Sequence, residues 1–406
     1  QFNWLNATLE NESSTWLLQS VTQRLKEYAL NNHKIKILAY SNNNRFVLVF
    51  DNVEQDTAEI KAILQEINQL FKSLFIIKEH QILITTSIGI ASGDRSITLE
   101  QLIGNAEIAM QSVKSKGGNG YKIYTSQMTA NANQNITLQS NLYRAIEKEQ
   151  FQVYYQPKVE LQTGQVIGAE ALVRWMHPEK GFISPGKFIP MAEETGLIVS
   201  LGEWILKKAC SDLKLLQNEG LNLPQISVNL SPLQFNESLT GARIEQILTE
   251  FALAPTNLDL ELTESALVEN SESAKKTLEE FKNIGISLSL DDFGTGYSSL
   301  SYLQQFPFDY LKIDQSFVRN LVNNPSNMAI ITAILNMARS LNLKVIAEGV
   351  ETEKELTFLK MQKCDIIQGY LFSRPLPFTE FKSLLQTGKS LDCVCNSNVI
   401  NFTYSI

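Results

Sequence analysis

Ser287-Leu-Ser-Leu-Asp-Asp-Phe-Gly-Thr-Gly-Tyr-Ser-Ser299 is the stretch on which the reading of this 406-residue chain turns. Ile286 to Leu290 is a short apolar run whose length and flanks predict a buried strand. Two adjacent carboxylates, Asp291 and Asp292, close it, and a loop rich in glycine and hydroxyl groups follows. Neighbours in a strand point to opposite faces, so two adjacent acids can share a site only where the strand ends and the chain turns. Two carboxylates there repel each other unless a proton or cation lies between them. Taken alone, the pair reads equally well as the N-cap of a Ser-rich helix.

From Phe151 onward, strand-like and helix-like stretches alternate. Strands are expected at 153–159, 166–173, 226–230, 258–262, 286–290, 310–313, 344–347 and 365–368. Amphipathic helices between them include 201–217, 273–283 and 328–341. This succession predicts an α/β fold, a (β/α)8 TIM-like barrel. The alternative, an open doubly wound sheet, would more often carry a Gly-rich first turn, and none is present.

Polar residues punctuate these strands. Glu170 lies near the end of the second, Asn229 closes the third and Glu261 the fourth. Asp291 and Asp292 follow the fifth, Lys312 lies in the sixth, Glu348 closes the seventh and Gln368 the eighth. A barrel gathers such positions at its C-terminal face, where the chemistry of these folds is sited. Each residue alone has an ordinary explanation as a cap, a solvated acid or a surface lysine, but their recurrence at nearly every strand end does not. The set offers five carboxylates and an amide oxygen without His or Cys, which suits Mg²⁺ or Mn²⁺. Five acids can share a pocket only if divalent cations neutralise them, and they suffice for two ions with one bridging carboxylate. Paired ions activate water and stabilise the leaving oxygen of a phosphodiester. Lys312 could position that water or stabilise charge on the phosphoryl oxygens. A serine nucleophile has little support: Ser298 and Ser299 lack a histidine partner, and His177 reads as structural. The loop at Gly294-Thr-Gly296 has Ser299 where a dinucleotide fingerprint needs Gly.

Net charge is −8, so the chain lacks the basic surplus of a duplex-binding protein, and no DNA partner is expected. A phosphate-bearing ligand must be drawn by local cations. With 44% hydrophobic and 19% charged residues, the composition is that of an ordinary globular protein. Cys210, Cys364, Cys393 and Cys395, with His33, His80 and His177, show no zinc spacing, and a cytoplasmic location is the default. No apolar run reaches the roughly 18 residues needed to span a bilayer, and no membrane contact is expected. The start at Gln1, without Met, suggests a piece of a longer sensor protein.

Residues 1–126 read as a separate α+β sandwich. A helix capped by Thr15, a hairpin of strands 35–40 and 46–50, a helix at 55–73, a strand at 82–91, a helix at 98–113 and a strand at 121–124 are expected. Residues 127–149 form a linker and connector helix, the latter from about 137 by the spacing of Leu138, Leu142, Ala145 and Ile146. The barrel occupies 150–388, with a tail at 389–406. Trp175, Phe188 and Tyr297 are read as packing residues, and 351–363 as a solvated helix face.

The first domain resembles a GGDEF domain, the diguanylate cyclase fold, through Ser87-Ile-Gly-Ile-Ala91, Ala106-Glu-Ile-Ala-Met110 and Gly118-Asn-Gly-Tyr-Lys-Ile-Tyr124. The family's signature turn is replaced by Asn42-Asn-Asn-Arg-Phe46, and its product-binding pair aligns with His33 and Lys36. The resemblance thus implies a domain without cyclase activity, structural or regulatory in role. From Leu138 to Leu385 the chain resembles an EAL domain. The likeness rests on Glu170-Ala-Leu-Val-Arg-Trp175, Val228-Asn-Leu-Ser231, Glu261-Leu-Thr-Glu264, Asp291-Asp-Phe-Gly-Thr-Gly-Tyr-Ser-Ser299, Leu311-Lys-Ile-Asp314, Ala347-Glu-Gly-Val-Glu351 and Gln368-Gly-Tyr-Leu-Phe-Ser-Arg-Pro375. That family hydrolyses cyclic di-GMP to linear pGpG. The resemblance implies one metal at Glu170, Asn229, Glu261 and Asp291, and a second at Asp291, Asp292 and Glu348. It implies Lys312 at the nucleophilic water and Gln368 beside substrate and metal. It also implies that Glu264 and Glu351 brace the loop 293–299, and that Gln156, Leu172 and Arg174 line the dinucleotide. A homodimer through this domain, with a mobile loop at 292–299, is further implied. The rival reading is a receptor that binds cyclic di-GMP without cutting it.

Overall fold

The structure is a computed structural model, which describes residues 11–41, 44–51, 53, 58–77, 80–94, 96–115, 117–237, 240–268, 271–294 and 300–391. The chain divides into two units, 1–137 and 138–406. The division falls within a continuous helix, Ser126–Glu147, that begins well before the expected residue 137. Its first half is polar but contains neither Gly nor Pro, so nothing halts helix propagation there.

In the first unit, β1 (Ile35–Ser41) and β2 (Arg45–Phe50) form an antiparallel hairpin. The strand expected over 82–91 is two strands with different partners. β4 (His80–Ile82) pairs antiparallel with β3 (Phe75–Ile77), whereas β5 (Ser87–Ile90) pairs parallel with β6 (Gly120–Ile123). Helix Asn11–Asn31 starts before Thr15, which therefore lies inside it rather than at its cap. Leu17, Val21 and Leu25 meet Ile67, Phe71 and Phe75 in this unit's core. Helix Leu99–Lys114 does carry a full capping box, Thr98 with Gln101.

The second unit is a closed barrel of eight strands: β7 (Phe151–Glu160), β8 (Val166–His177), β10 (Gln225–Leu230), β11 (Leu258–Thr263), β12 (Ser287–Phe293), β13 (Tyr310–Ile313), β14 (Lys344–Glu348) and β15 (Ile366–Gln368). Short β9 (Gly181–Ile183) extends β8, and β16 (Leu376–Pro377) extends β7. β7 runs antiparallel to both neighbours, β8 and β15, while the other barrel pairings are parallel. A tight hairpin between β7 and β8 leaves no room for a crossover helix, so these strands must be antiparallel.

Alternation along the strands sets the layering. In β11, Leu258, Leu260 and Leu262 join the apolar cluster that includes the helices, while Asp259 and Glu261 take the opposite side. β10 and β12 repeat this with Ser227 and Asn229, and with Ser289 and Asp291. The barrel's outer surface is thus an ordinary apolar layer, against which helix Ile198–Asn218 packs Leu201, Ile205, Ala209, Leu213 and Leu216. Its interior is polar along β10, β11 and β12, whereas on β14 and β15 the apolar Ile346 and Ile366 lie on the same side as Glu348 and Gln368. Trp175 and Phe188, both fully buried, pack edge-to-face with ring centroids 5.7 Å apart, as packing residues should. Tyr297 and the tail beyond Leu391 lie outside the described residues. In the segment read as a solvated face, Glu355 is instead buried; it accepts from the Glu351 and Thr352 amides and caps its own helix.

At the mouth of the barrel, the Val350 amide donates to the Gln368 carbonyl (3.2 Å), and Gly369 lies against Val350. A Cβ on Gly369 would sit 2.1 Å from the Val350 carbonyl oxygen, so no side chain fits there without moving backbone. Gly369→Ala should therefore destabilise the barrel by about 1–3 kcal/mol, as overpacking does. Urea unfolding followed by circular dichroism measures this, and an unchanged midpoint would contradict the close approach.

Candidate active site

Adjacent acids both reach the barrel mouth because the strand is broken between them. Asp292 has φ = +54°, a left-handed conformation that Asp tolerates better than most residues, and the β12–β13 register shifts between Leu290 and Phe293. This bulge cancels the alternation that would otherwise send Asp291 and Asp292 to opposite faces. One oxygen from each of Asp291, Asp292 and Glu348 then lies within 4.8 Å of the others. The pair lies inside the strand's span rather than after its end.

Lys312 occupies the focus of the ring. Its side chain is 1% exposed, and Nζ lies 2.7 Å from Glu348 Oε1, 3.1 Å from Asp291 Oδ1 and 3.7 Å from Glu170 Oε2, and also contacts Glu261 Oε2. Asn229 donates to Glu170 Oε1 (2.6 Å) and Gln368 Nε2 donates to Glu170 Oε2 (2.6 Å). Gln368 also donates to Gln156 Oε1 (3.1 Å), while its own Oε1 is buried without a partner among the described residues. Every expected ring residue is thus linked to this one cluster. Among the expected substrate residues, Gln156 additionally donates to the Ser373 carbonyl (3.2 Å). Leu172 and Arg174 follow Glu170 on β8 at two-residue steps, and the Arg174 guanidinium lies 5.6 Å from the Tyr154 ring centre. Glu264 Oε1 accepts from the Gly294 amide (3.2 Å), at the root of the expected loop. Glu351 pairs with Arg319 (3.2 Å); loop residues 295–299 are outside the described ones.

A second polar tier lies one alternation deeper. Lys158, Ser227, Asp259 and Ser289 are each at most 3% exposed and bonded to one another. The sequence reading overlooked these four. Their signal was the two-residue spacing Ser227/Asn229, Asp259/Glu261 and Ser289/Asp291, which continues the ring's face of each strand inward.

Burial raises the carboxyls of Glu170 and Asp291 above the usual range, the neighbouring Glu261 charge adds to this, and Lys312 opposes it. Burial likewise pushes Glu348 up to about 8, against the pull of Lys312. Burial would also raise Glu261, but the attraction of Lys158 and Lys312 outweighs it and holds this acid at about 2. Both lysines stay cationic: burial disfavours their charge, yet Glu261 and Asp259 lift Lys158 to about 12, and the ring acids hold Lys312 well above the usual range. The five ring acids and Asp259 beneath them face two ammonium groups, so acidic groups outnumber the cations among them. Hard oxygen donors, that excess and the orphaned Gln368 Oε1 together fit Mg²⁺ or Mn²⁺.

An α/β barrel with an oxygen-donor ring at its mouth is the class that fold and site define. Residues 139–375 match the family model for the EAL domain, and the chain belongs to that family. Residues 1–120 match the model described as Diguanylate cyclase, GGDEF domain. In this unit Arg45 pairs with Glu107 (3.0 Å) just after the replaced signature turn, of which Asn42 and Asn43 lie outside the described residues. The bifunctional diguanylate cyclase/cyclic di-GMP phosphodiesterase MucR of Pseudomonas aeruginosa is 38% identical over 378 residues, 93% of this chain and 54% of that protein. The cyclic di-GMP phosphodiesterase PdeR of Escherichia coli is 37% identical over 350 residues, 86% of this chain and 52% of that protein. The chain thus spans about half the length of these curated relatives. A solved structure of the PaMucR phosphodiesterase in complex with c-di-GMP is 43% identical, with a TM-score of 0.59, covering 60% of this chain and 99% of that one. Among the described residues, no helix is long and apolar enough to cross a membrane.

A carboxyl raised on folding binds its proton more tightly in the native state, so its stabilising effect is lost as pH climbs from the unfolded toward the native value. For Glu348 that window runs from 4.5 to about 8. The thermal midpoint of chelator-treated protein should fall across this range, and added Mg²⁺ or Mn²⁺ should raise it more at pH 8 than at pH 5. Thermal-shift curves at several pH values test this; a flat profile with no metal effect would count against the reading of the ring.

Proposed function

We propose that this chain hydrolyses cyclic di-GMP to linear pGpG with divalent cations, Mg²⁺ or Mn²⁺. The observation that carries the reading is the complete acid ring converging on Lys312. The similarity to the PaMucR phosphodiesterase, solved with c-di-GMP, supports the choice of substrate. Glu170, Asn229, Glu261 and Asp291 would hold one ion, and Asp291, Asp292 and Glu348 the other. When bound, such a pair lowers the pKa of water and neutralises charge developing on a phosphodiester. Lys312, a buried ammonium, serves as a hydrogen-bond donor to the attacking water or a phosphoryl oxygen rather than as a base. Gln368 keeps Glu170 turned toward the ring and offers its free Oε1 to whatever enters. Arg174, on the same face of β8 as Glu170, is assigned as a phosphate partner, and Gln156 and Leu172 are assigned to line the dinucleotide. Glu264 holds the Gly294 amide and so braces the root of the loop; Glu351 is assigned the same task.

Purified protein incubated with cyclic di-GMP and Mn²⁺ should yield pGpG by chromatography. Glu170→Ala and Lys312→Ala should each lower turnover by on the order of 100-fold or more, since each removes a group facing the reacting atoms. Binding of cyclic di-GMP without any pGpG, with either ion, would sink the enzymatic reading and favour a receptor.

We assign residues 1–126 a regulatory role and the barrel a homodimer interface, both on the resemblance to the family. Deleting residues 1–126 should change the hydrolytic rate or the oligomeric state seen by light scattering. If neither moves, the regulatory role is wrong.

A further inference from the structure

Glu261 is gripped from two sides. Lys312 meets its Oε2 from the ring, and Lys158 donates to its Oε1 at 2.6 Å from deeper in the barrel. Lys158 comes from the antiparallel strand β7, two residues beyond Gln156, and is 3% exposed. Its remaining partners are Ser227 Oγ (2.5 Å) and Asp259 Oδ2 (3.3 Å). Asp259, fully buried, also accepts from Ser227 (2.7 Å) and Ser289 (2.8 Å). Two serine hydroxyls thus already satisfy Asp259, and the shortest carboxylate contact of Lys158 is to Glu261 rather than to its own tier. A lysine buried only to serve the fold would close on Asp259; this one is aimed at the ring.

We propose that Lys158, anchored by Asp259, is a positioning residue that fixes the Glu261 carboxylate with Oε1 turned inward, so that Oε2 alone faces the ring. The inference rests on the proposed function only in taking Glu261 as a cation ligand. Partners that hold a ligand from behind typically change metal affinity 10- to 100-fold when removed. Lys158 has this relation to Glu261, its one ion-pair partner among the ring acids in the described residues. Without it, the carboxylate can rotate about its last torsion and turn either oxygen away from the ring.

Removing Lys158 alone would strand a buried Asp259 charge and can unfold the barrel for that reason. The informative variant is therefore Lys158→Met/Asp259→Asn, with both charges gone. Mn²⁺ affinity of chelator-stripped protein is measured by calorimetry or by electron paramagnetic resonance of the free ion, alongside the thermal midpoint without metal. The expected result is a folded protein that binds Mn²⁺ about 10- to 100-fold more weakly, with kcat reduced and KM for cyclic di-GMP little changed. A folded double variant with wild-type Mn²⁺ affinity overturns the proposal. Should the double variant not fold, Asp259→Asn alone gives the answer: loosening the anchor should weaken Mn²⁺ binding severalfold, and wild-type affinity in the folded single variant overturns the proposal equally. Wild-type protein that binds no Mn²⁺ would remove the reading of Glu261 as a ligand, an outcome distinct from either.

Discussion

Burying several carboxylates at one place is the constraint on which this structure depends. Ionised acids in a protein interior repel each other and lose hydration, and neither cost is met unless cations lie among them. Lys312, nearly inaccessible and in contact with four acids, supplies one such charge from within the chain. Lys158 supplies a second from below. Two ammonium groups do not balance the five ring acids and Asp259, and an excess of acidic oxygen donors is what a divalent-cation site requires. Stability and the proposed chemistry would therefore be linked: a cation bound at the ring would also offset the repulsion among its acids.

The barrel accommodates this by turning one polar face of β10, β11 and β12 inward, beside Ile346 of β14 and Ile366 of β15. Many barrels of this class fill their interior with branched apolar side chains. Here the leucines of β10, β11 and β12 face the helices, and serines, acids and amides face inward in two tiers. The lower tier is fully buried around Asp259 and reaches the ring through Lys158; the upper tier leaves Gln368 Oε1 unpaired among the described residues. A rigid hydrogen-bonded floor under an open ring holds ligands in place before anything binds, and that limits the reorganisation needed later.

The two units contrast in how their sites have fared. In the barrel, Glu170, Glu261, Asp291, Asp292 and Glu348 lie in one cluster, while Glu264 and Glu351 bond to the Gly294 amide and to Arg319. The first unit has lost the glycines and acids of its signature turn, and Arg45 there is engaged with Glu107 in an ordinary ion pair. Its helices and apolar core persist, as they must for the unit to fold at all.

Most of this was legible in the linear order of residues. Alternating strand and helix patterns identify the barrel, and the polar strand ends name the ring from Glu170 to Gln368, because side-chain period and strand-end position are local properties. Local pattern could not reveal that β7 runs antiparallel, that the expected strand 82–91 changes partner midway, or that Asp292 turns left-handed to bring it beside Asp291. Nor could it reveal Lys158 beneath Glu261, since the two are far apart in sequence and nothing nearby on the chain marks either as the other's partner. Sequence by itself determined which residue types alternate and where each strand stops. Closure of the sheet alone decided which of them meet, because burial and hydrogen bonding across strands are properties of the assembled barrel and not of any one segment.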